Sequence, residues 1–321
     1  MDLEERILRY YLKIFSIFTI IFFLCFSSYI FYLLNKKIIL NTNQLKIEKG
    51  DGIENVIKKN IYNYTNFDLF IIKNYFKIDS LINNSFIHYG EFNVNYGSSV
   101  VQLIETISEP SNVFNKITII EGWSQKQLNL ELSKYFKDFH PIPYQNVIAD
   151  TYLIQKDVNF HTFKKKINDT KNNYFKSFKN NKLLNQFNDK EIMIIGSLLE
   201  KEALGEQDKK LISSVILNRL NKNMKLQIDA TVIFSITNGD YNLERKLLLS
   251  DLKIDHPYNT YLIKGLPPQP ISYVGKKTLD IIFANFKSDF LFYFFDNSLN
   301  RHIFSKNFKE HKYKLNEYRN K

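Results

Sequence analysis

Residues 188–223 read NDKEIMIIGSLLEKEALGEQDKKLISSVILNRLNKN, two helices joined by a short turn. Asn188 can cap the first helix, with Glu191 three residues later at capping-box spacing. Ile192, Ile195, Leu199 and Glu202 fall in one 3–4 spaced row, and Ile194 and Leu198 broaden the apolar face. The second helix runs from about Asp208 to Asn221, carries Ile212, Val215, Ile216 and Leu220, and is closed by Asn223. Glu200 is flanked at i−4 and i−3 by Gly196 and Ser197, the smallest residues of its helix. A glycine inside a helix costs up to about 1 kcal/mol against alanine, so it points to a packing or access need. A shallow trough beside a carboxyl could admit a ligand. Helix geometry alone reads Glu200 and Glu202 more simply as solvated charges. Two residues apart, they point to different faces and cannot form a facing acid/base pair on that helix.

Outward from this stretch, Met224 to Phe234 reads as a strand-like run. Upstream, Asn115 to Gly122 reads as a strand and turn. A helix follows from about Ser124 to Phe136, with Ser124 and Gln127 as a second capping box. The Lys/Asn-rich residues 160–187 read as helical. Further upstream, Leu45 to Gly50 is a strand, 52–62 and 67–76 are helices, 86–96 is a strand pair and 100–107 is a helix. This β-α-α-β-type unit ends near Pro110 and carries no residues that suggest catalysis. Residues 35–45 read as a connector.

Ile14 to Leu34, IFSIFTIIFFLCFSSYIFYLL, holds no charge. As a helix these residues span roughly 31 Å, the thickness of a bilayer core. The run is too long for a signal peptide and no A-x-A-like cleavage site follows it. It is expected to be an uncleaved transmembrane helix behind a tail of residues 1–13. Arg6, Arg9 and Lys13 on one side nearly balance Lys36 and Lys37 on the other, so charge does not orient it.

The 321 residues are 44% hydrophobic, enough for an anchor and about two domains, and carry a formal charge of +11. That charge could attract an anionic partner, but no dense basic stripe accompanies it, and no nucleic-acid partner is expected. The single cysteine, Cys25, lies in the apolar run and permits no internal disulfide. There is no HExxH, no CxxC, no Gly-rich phosphate loop and no G-x-S-x-G. Neither a metal nor a cofactor is expected.

Several pieces now stand in order: SLLEKE at 197–202, Ser214–Val215 with Asn218–Arg219–Leu220, and Met224-Lys-Leu-Gln227-Ile-Asp229-Ala-Thr231-Val232. After these come Tyr258-Asn259-Thr260-Tyr261, Gly265-Leu266-Pro267-Pro268, His302-Ile-Phe304-Ser305 and Glu310–His311. Upstream stand Thr118-Ile-Ile-Glu121-Gly122 and Asp150-Thr151-Tyr152. The chain resembles the YceG-like family, the endolytic murein transglycosylases, over nearly its whole length and most strongly from 196 to 311. It departs in Ile120 and Ala230, where the family has proline, and in Arg301, where glycine is common. It also lacks the family's E-G-x-L-F-P segment before Asp150. These departures touch loop shape rather than the glutamate.

The resemblance implies an α+β fold: transmembrane anchor 14–34, a small LysM-like α/β subdomain over 45–110 and a larger α+β catalytic domain over 115–321. It implies a lyase, a peptidoglycan lytic transglycosylase that cleaves the MurNAc–GlcNAc β-1,4 bond and leaves 1,6-anhydro ends. Glu200 matches the catalytic glutamate. Its apolar neighbours would suit a carboxyl that must be protonated near neutral pH. Gln227, Asp229, Asn259 and Tyr261 are candidates to grip the sugars, with turn-fixing roles equally open for Asp229 and Asn259. Gly265, Pro267 and Pro268 would shape a rigid loop, and His302 and His311 are further candidates. The implied partners are peptidoglycan glycan strands and, as candidates, peptidoglycan synthases. The implied location is the cytoplasmic membrane, with the catalytic domain outside. A non-catalytic wall-binding scaffold and a muramidase-type hydrolase are the competing readings.

Overall fold

The computed structural model describes residues 3–42, 44–156 and 158–320, which form two compact units. The first takes in residues 3–115 and 154–156; the second takes in Lys116–Leu153 and residues 158–320.

The first unit begins with a long helix, α1 (Leu3–Asn35). It is long and apolar enough to cross a membrane, with mean hydropathy 2.3 in its most apolar window. Of the tail expected over 1–13, Met1 and Asp2 lie outside the described residues, and from Leu3 the tail continues α1. Strand β1 (Gln44–Ile47), α2 (Ile53–Asn60), α3 (Asn66–Asn83), β2 (Gly90–Asn93) and α4 (Val100–Ser108) follow. β1 and β2 pair antiparallel, from Gln44 opposite Asn93 to Ile47 opposite Gly90. The β-α-α-β order is therefore as read, but 86–96 forms one strand instead of two. The strand starts only at Gly90, whose φ is 132°. α3 is also longer than expected, opening on a Thr65–Asp68 capping box and closing at Asn84.

Residues 35–45 are not a free connector. Lys37 bridges to Ser99 and Leu40 to Ile61, and Ile38 is buried. The end of α1 belongs to the same core: Leu33 and Leu34 are buried with Val56, Ile72, Leu103 and Ile104. Tyr29 donates to Asp68 at 2.5 Å and stacks on Phe67.

The second unit holds the rest: β3 (Phe114–Thr118, shared with the first unit), α5 (Gln125–Leu132), β4 (Ile148–Ala149), β5 (Thr151–Gln155, likewise shared) and α6 (Phe160–Ser177). Then come α7 (Asp189–Glu202), α8 (Glu206–Asn221), α9 (Asp229–Thr237), β6 (Val274–Gly275), α10 (Lys276–Ala284), β7 (Phe292–Asp296), β8 (Arg301–Ser305) and α11 (Phe308–Arg319). β4 and β6 pair parallel, and β7 and β8 form an antiparallel hairpin. α7 is the hub, packing on α8, α9, α10 and β6. Its Ile192, Met193, Ile195, Leu198 and Leu199 share a core with Ile212, Ile216, Val274, Leu279 and Ile282. Each such aliphatic side chain contributes about 1.5–3 kcal/mol when fully buried.

Both expected capping boxes form, at Ser124 and at Asn188. The helix after Ser124 ends at Leu132, short of Phe136. The helical stretch from 160 breaks after Ser177 and resumes only as a 3-10 turn at Lys182–Asn185. The strand-like run 224–234 is a correction. Residues 224–228 are an extended loop with Gln227 left-handed at φ 52°, and α9 starts at Asp229. Arg219 secures this loop, its buried guanidinium donating to the carbonyls of Lys225, Leu226 and Leu291.

Candidate active site

Glu200 lies in the last turn of α7. Its Oε2 accepts from Lys209 Nζ of α8 at 2.6 Å, and its Oε1 from the Gly275 amide at 3.0 Å. The side chains of Glu200 and Lys209 keep only 3% and 13% of their surface exposed. Lys209 Nζ also donates to Thr278 Oγ1 at 2.6 Å. The carboxyl thus meets an ammonium and a backbone amide, not the apolar side chains expected. It opens on a pocket of about 280 Å³ that Glu121, Leu204, Glu206, Lys209 and Lys277 also line.

The trough expected at Gly196 and Ser197 is filled. A methyl on Gly196 would stand 2.5 Å from Val274 Cγ1, so the glycine lets β6 press against α7. Ser197 is fully buried, donating to Ile194 O and accepting from Ile271 N. The small residues therefore serve packing. The same close approach brings Gly275 to Glu200.

Glu121 is the residue that local reasoning passed over. It precedes Gly122, which turns at φ 76° and donates to Tyr273 O, while Tyr273 N donates to Trp123 O. This pairing sets Glu121 across Gly275, where a methyl would stand 1.9 Å from Glu121 Oε1. Through that glycine, oxygens of the two carboxyls are at most about 8 Å apart. Among the described residues Glu121 has neither an ion pair nor a hydrogen bond. Burial first, then the charge of Glu200, raise its carboxyl above the ordinary range.

Of the candidate sugar contacts, Asp229 and Tyr261 lie near Glu202, the other carboxyl in the last turn of α7. Glu202 accepts from Ala230 N at 3.2 Å, and burial pushes its carboxyl up to about 7. Tyr261 donates to Asp229 at 2.5 Å, and Gln227 Oε1 accepts from Arg219 at 3.4 Å. Gln227 and Asp229 are exposed and Tyr261 is partly so. Asn259 has no exposed surface. Its amide donates to Leu252 O and Ile254 O and accepts from Tyr261 N, as a turn-fixing side chain does. His302 is held at 2.7 Å from Asp208, and His311 stacks on Phe292. A larger cavity of about 450 Å³ is lined in part by Gln127, Lys201, Ala230, Phe234 and Tyr241.

The sequence profile of the YceG-like family matches residues 45–317. The chain belongs to the YceG-like family. An endolytic murein transglycosylase of Bacillus subtilis is 29% identical over 232 residues, 69% of this chain and 63% of that protein. One of Streptococcus pneumoniae is 30% identical over 131 residues, 40% of this chain and 24% of the relative. The chain thus spans less than two thirds of either relative. The crystal structure of a YceG-like protein from Listeria monocytogenes has the same fold. Its TM-score is 0.53 at 22% identity, over 87% of this chain and 99% of that one.

Proposed function

We propose that this YceG-like chain is an endolytic peptidoglycan lytic transglycosylase with Glu200 as its catalytic carboxyl. The observation that carries the reading is the seat of Glu200. The glutamate that matches the family's catalytic residue is fixed through both oxygens at the wall of a pocket. The names of the Bacillus and Streptococcus relatives support the reaction class. The target is the MurNAc–GlcNAc β-1,4 bond of nascent strands, whose cleavage terminates elongation. Glu200 gives its proton to the leaving O4 as the C1–O4 bond breaks. The resulting carboxylate then takes the proton of the MurNAc 6-hydroxyl as O6 bonds to C1, and no water is consumed. Gln227, Asp229 and Tyr261 are proposed to contact the sugars, with Asn259 holding their loop. The 450 Å³ groove supplies room for further units of the polymer. α1 anchors the chain in the cytoplasmic membrane with the catalytic part outside, within reach of peptidoglycan synthases as partners.

The test is digestion of purified, uncross-linked glycan strands followed by mass spectrometry. Anhydro ends, lighter by one water than reducing ends, are expected from the wild type and none from Glu200→Gln. Reducing ends would mean a muramidase, and binding without cleavage would mean a scaffold. One observation favours a second reading: Glu202, held near 7 beside Asp229 and Tyr261, has the acidity that a proton donor needs. Loss of cleavage in Glu202→Gln with an active Glu200→Gln would move the role to Glu202.

A further inference from the structure

Lys209 raises a charge problem in the proposed reaction. A lone carboxyl that serves as acid and then base is neutral for half of each turnover. In that half, Lys209 loses its carboxylate partner. Its ammonium is largely out of water, and among the described residues its remaining hydrogen-bond partner is the neutral hydroxyl of Thr278. A desolvated cation without a counter-charge is strongly unfavourable.

Among the described residues, the carboxyl of this pocket without a hydrogen bond or ion pair is Glu121, across Gly275. Glu206 and Lys277 already face each other at 3.6 Å on the exposed rim, and Asp150 is the remaining acid whose charge reaches Glu121. We propose that Glu121 is a positioning residue, the counter-charge that takes over Lys209 whenever Glu200 is protonated. The inference rests on the reading of Glu200 as the proton-carrying carboxyl. With Glu200 protonated, Lys209 turns to the Glu121 carboxylate. Proton transfer to O4 leaves Glu200 anionic and Lys209 returns to it. Uptake of the O6 proton releases Lys209 again. No charge is created or lost at the Lys209–Glu121 side, and the proton count on Glu200 closes over the cycle. Gly275 is glycine because any side chain there would push Glu121 out of this reach. The electrostatic coupling of Glu121 to both Glu200 and Lys209 agrees with this arrangement.

The test is the pH profile of kcat/KM for the full-length protein in detergent, on uncross-linked glycan strands. Without the Glu121 carboxylate, protonation of Glu200 strands the Lys209 ammonium, which disfavours the protonated form. In Glu121→Gln the alkaline limb should therefore move to lower pH by about one unit. Activity should fall about tenfold on that limb and return to the wild-type level on the acid side. Glu121→Asp should restore part of the shift. In a Lys209→Met background, the Glu121→Gln change should move the limb clearly less, since only the direct repulsion between the two carboxyls remains. An equal shift in both backgrounds overturns the proposal. An unmoved limb in Glu121→Gln, or an equal loss at every pH, overturns the proposal. Glu200→Gln separates the two ideas. If it stays active, the reading of Glu200 fails; if it is inactive while the Glu121→Gln profile overlays the wild type, only this inference fails.

Discussion

Glu200 and Glu202 stand two residues apart on α7 and meet opposite chemistry, one bound by an ammonium and the other enclosed beside tyrosines and Asp229. The helical period shows that they diverge; what each one meets comes from segments far away in sequence. The enclosure of Glu202 has a thermodynamic signature. From the ordinary carboxyl range up to about 7, the folded chain keeps a proton there that the unfolded chain has released. Stability from this site is therefore full at low pH and lost as pH rises to about 7. Glu202→Gln is always neutral, so it should match the wild type at pH 4 and exceed it at pH 8 by up to about 3 kcal/mol. Denaturant unfolding followed by circular dichroism at the two pH values would show this. Gly196 gives a second prediction. Gly196→Ala gains up to about 1 kcal/mol of helix propensity but drives a methyl into Val274, and overpacking of this kind costs about 1–3 kcal/mol. Net destabilisation is expected, with partial recovery in Gly196→Ala/Val274→Ala. The sequence shows that Gly196 is unusual. The reason lies 78 residues downstream, where no local pattern points.

At the level of elements, α7 was the most legible part of the chain. Its cap and its apolar face follow from neighbouring residues. Asn188→Ala should cost about 1 kcal/mol of stability, since it removes one half of a formed capping box. The 224–234 run was the least legible. Leu226 and Ile228 are both buried, which gives the alternation of a strand, but Gln227 sits left-handed and α9 takes over at Asp229. The shape of that loop is set by Arg219, whose guanidinium reaches three carbonyls at once. Arg219→Lys cannot span them and should destabilise the fold by about 2–4 kcal/mol, read by thermal unfolding. The family motif around Asn218 and Arg219 is thus explained by loop architecture. Asn218 likewise donates to the carbonyls of Ser288 and Phe290.

For the molecule as a whole, the order of motifs and the apolar run disclosed the family and a candidate span. They did not disclose that the span is built into a folded unit. Asp68 accepts from Tyr29 of α1 while completing the capping box of α3. Asp68→Ala loses both interactions and should lower the melting temperature more than Tyr29→Phe, which loses one. Leu33, Leu34 and Ile38 bury the exit of α1, leaving no slack between helix and unit. A domain on a slack leash sweeps out a volume. One joined to a stiff shaft works at a set altitude. With α1 across a bilayer, the first unit would turn as the helix turns and could neither settle onto the lipid nor drift from it. Its standoff from the membrane would then be a dimension of the protein, adjustable only by lengthening or shortening the shaft.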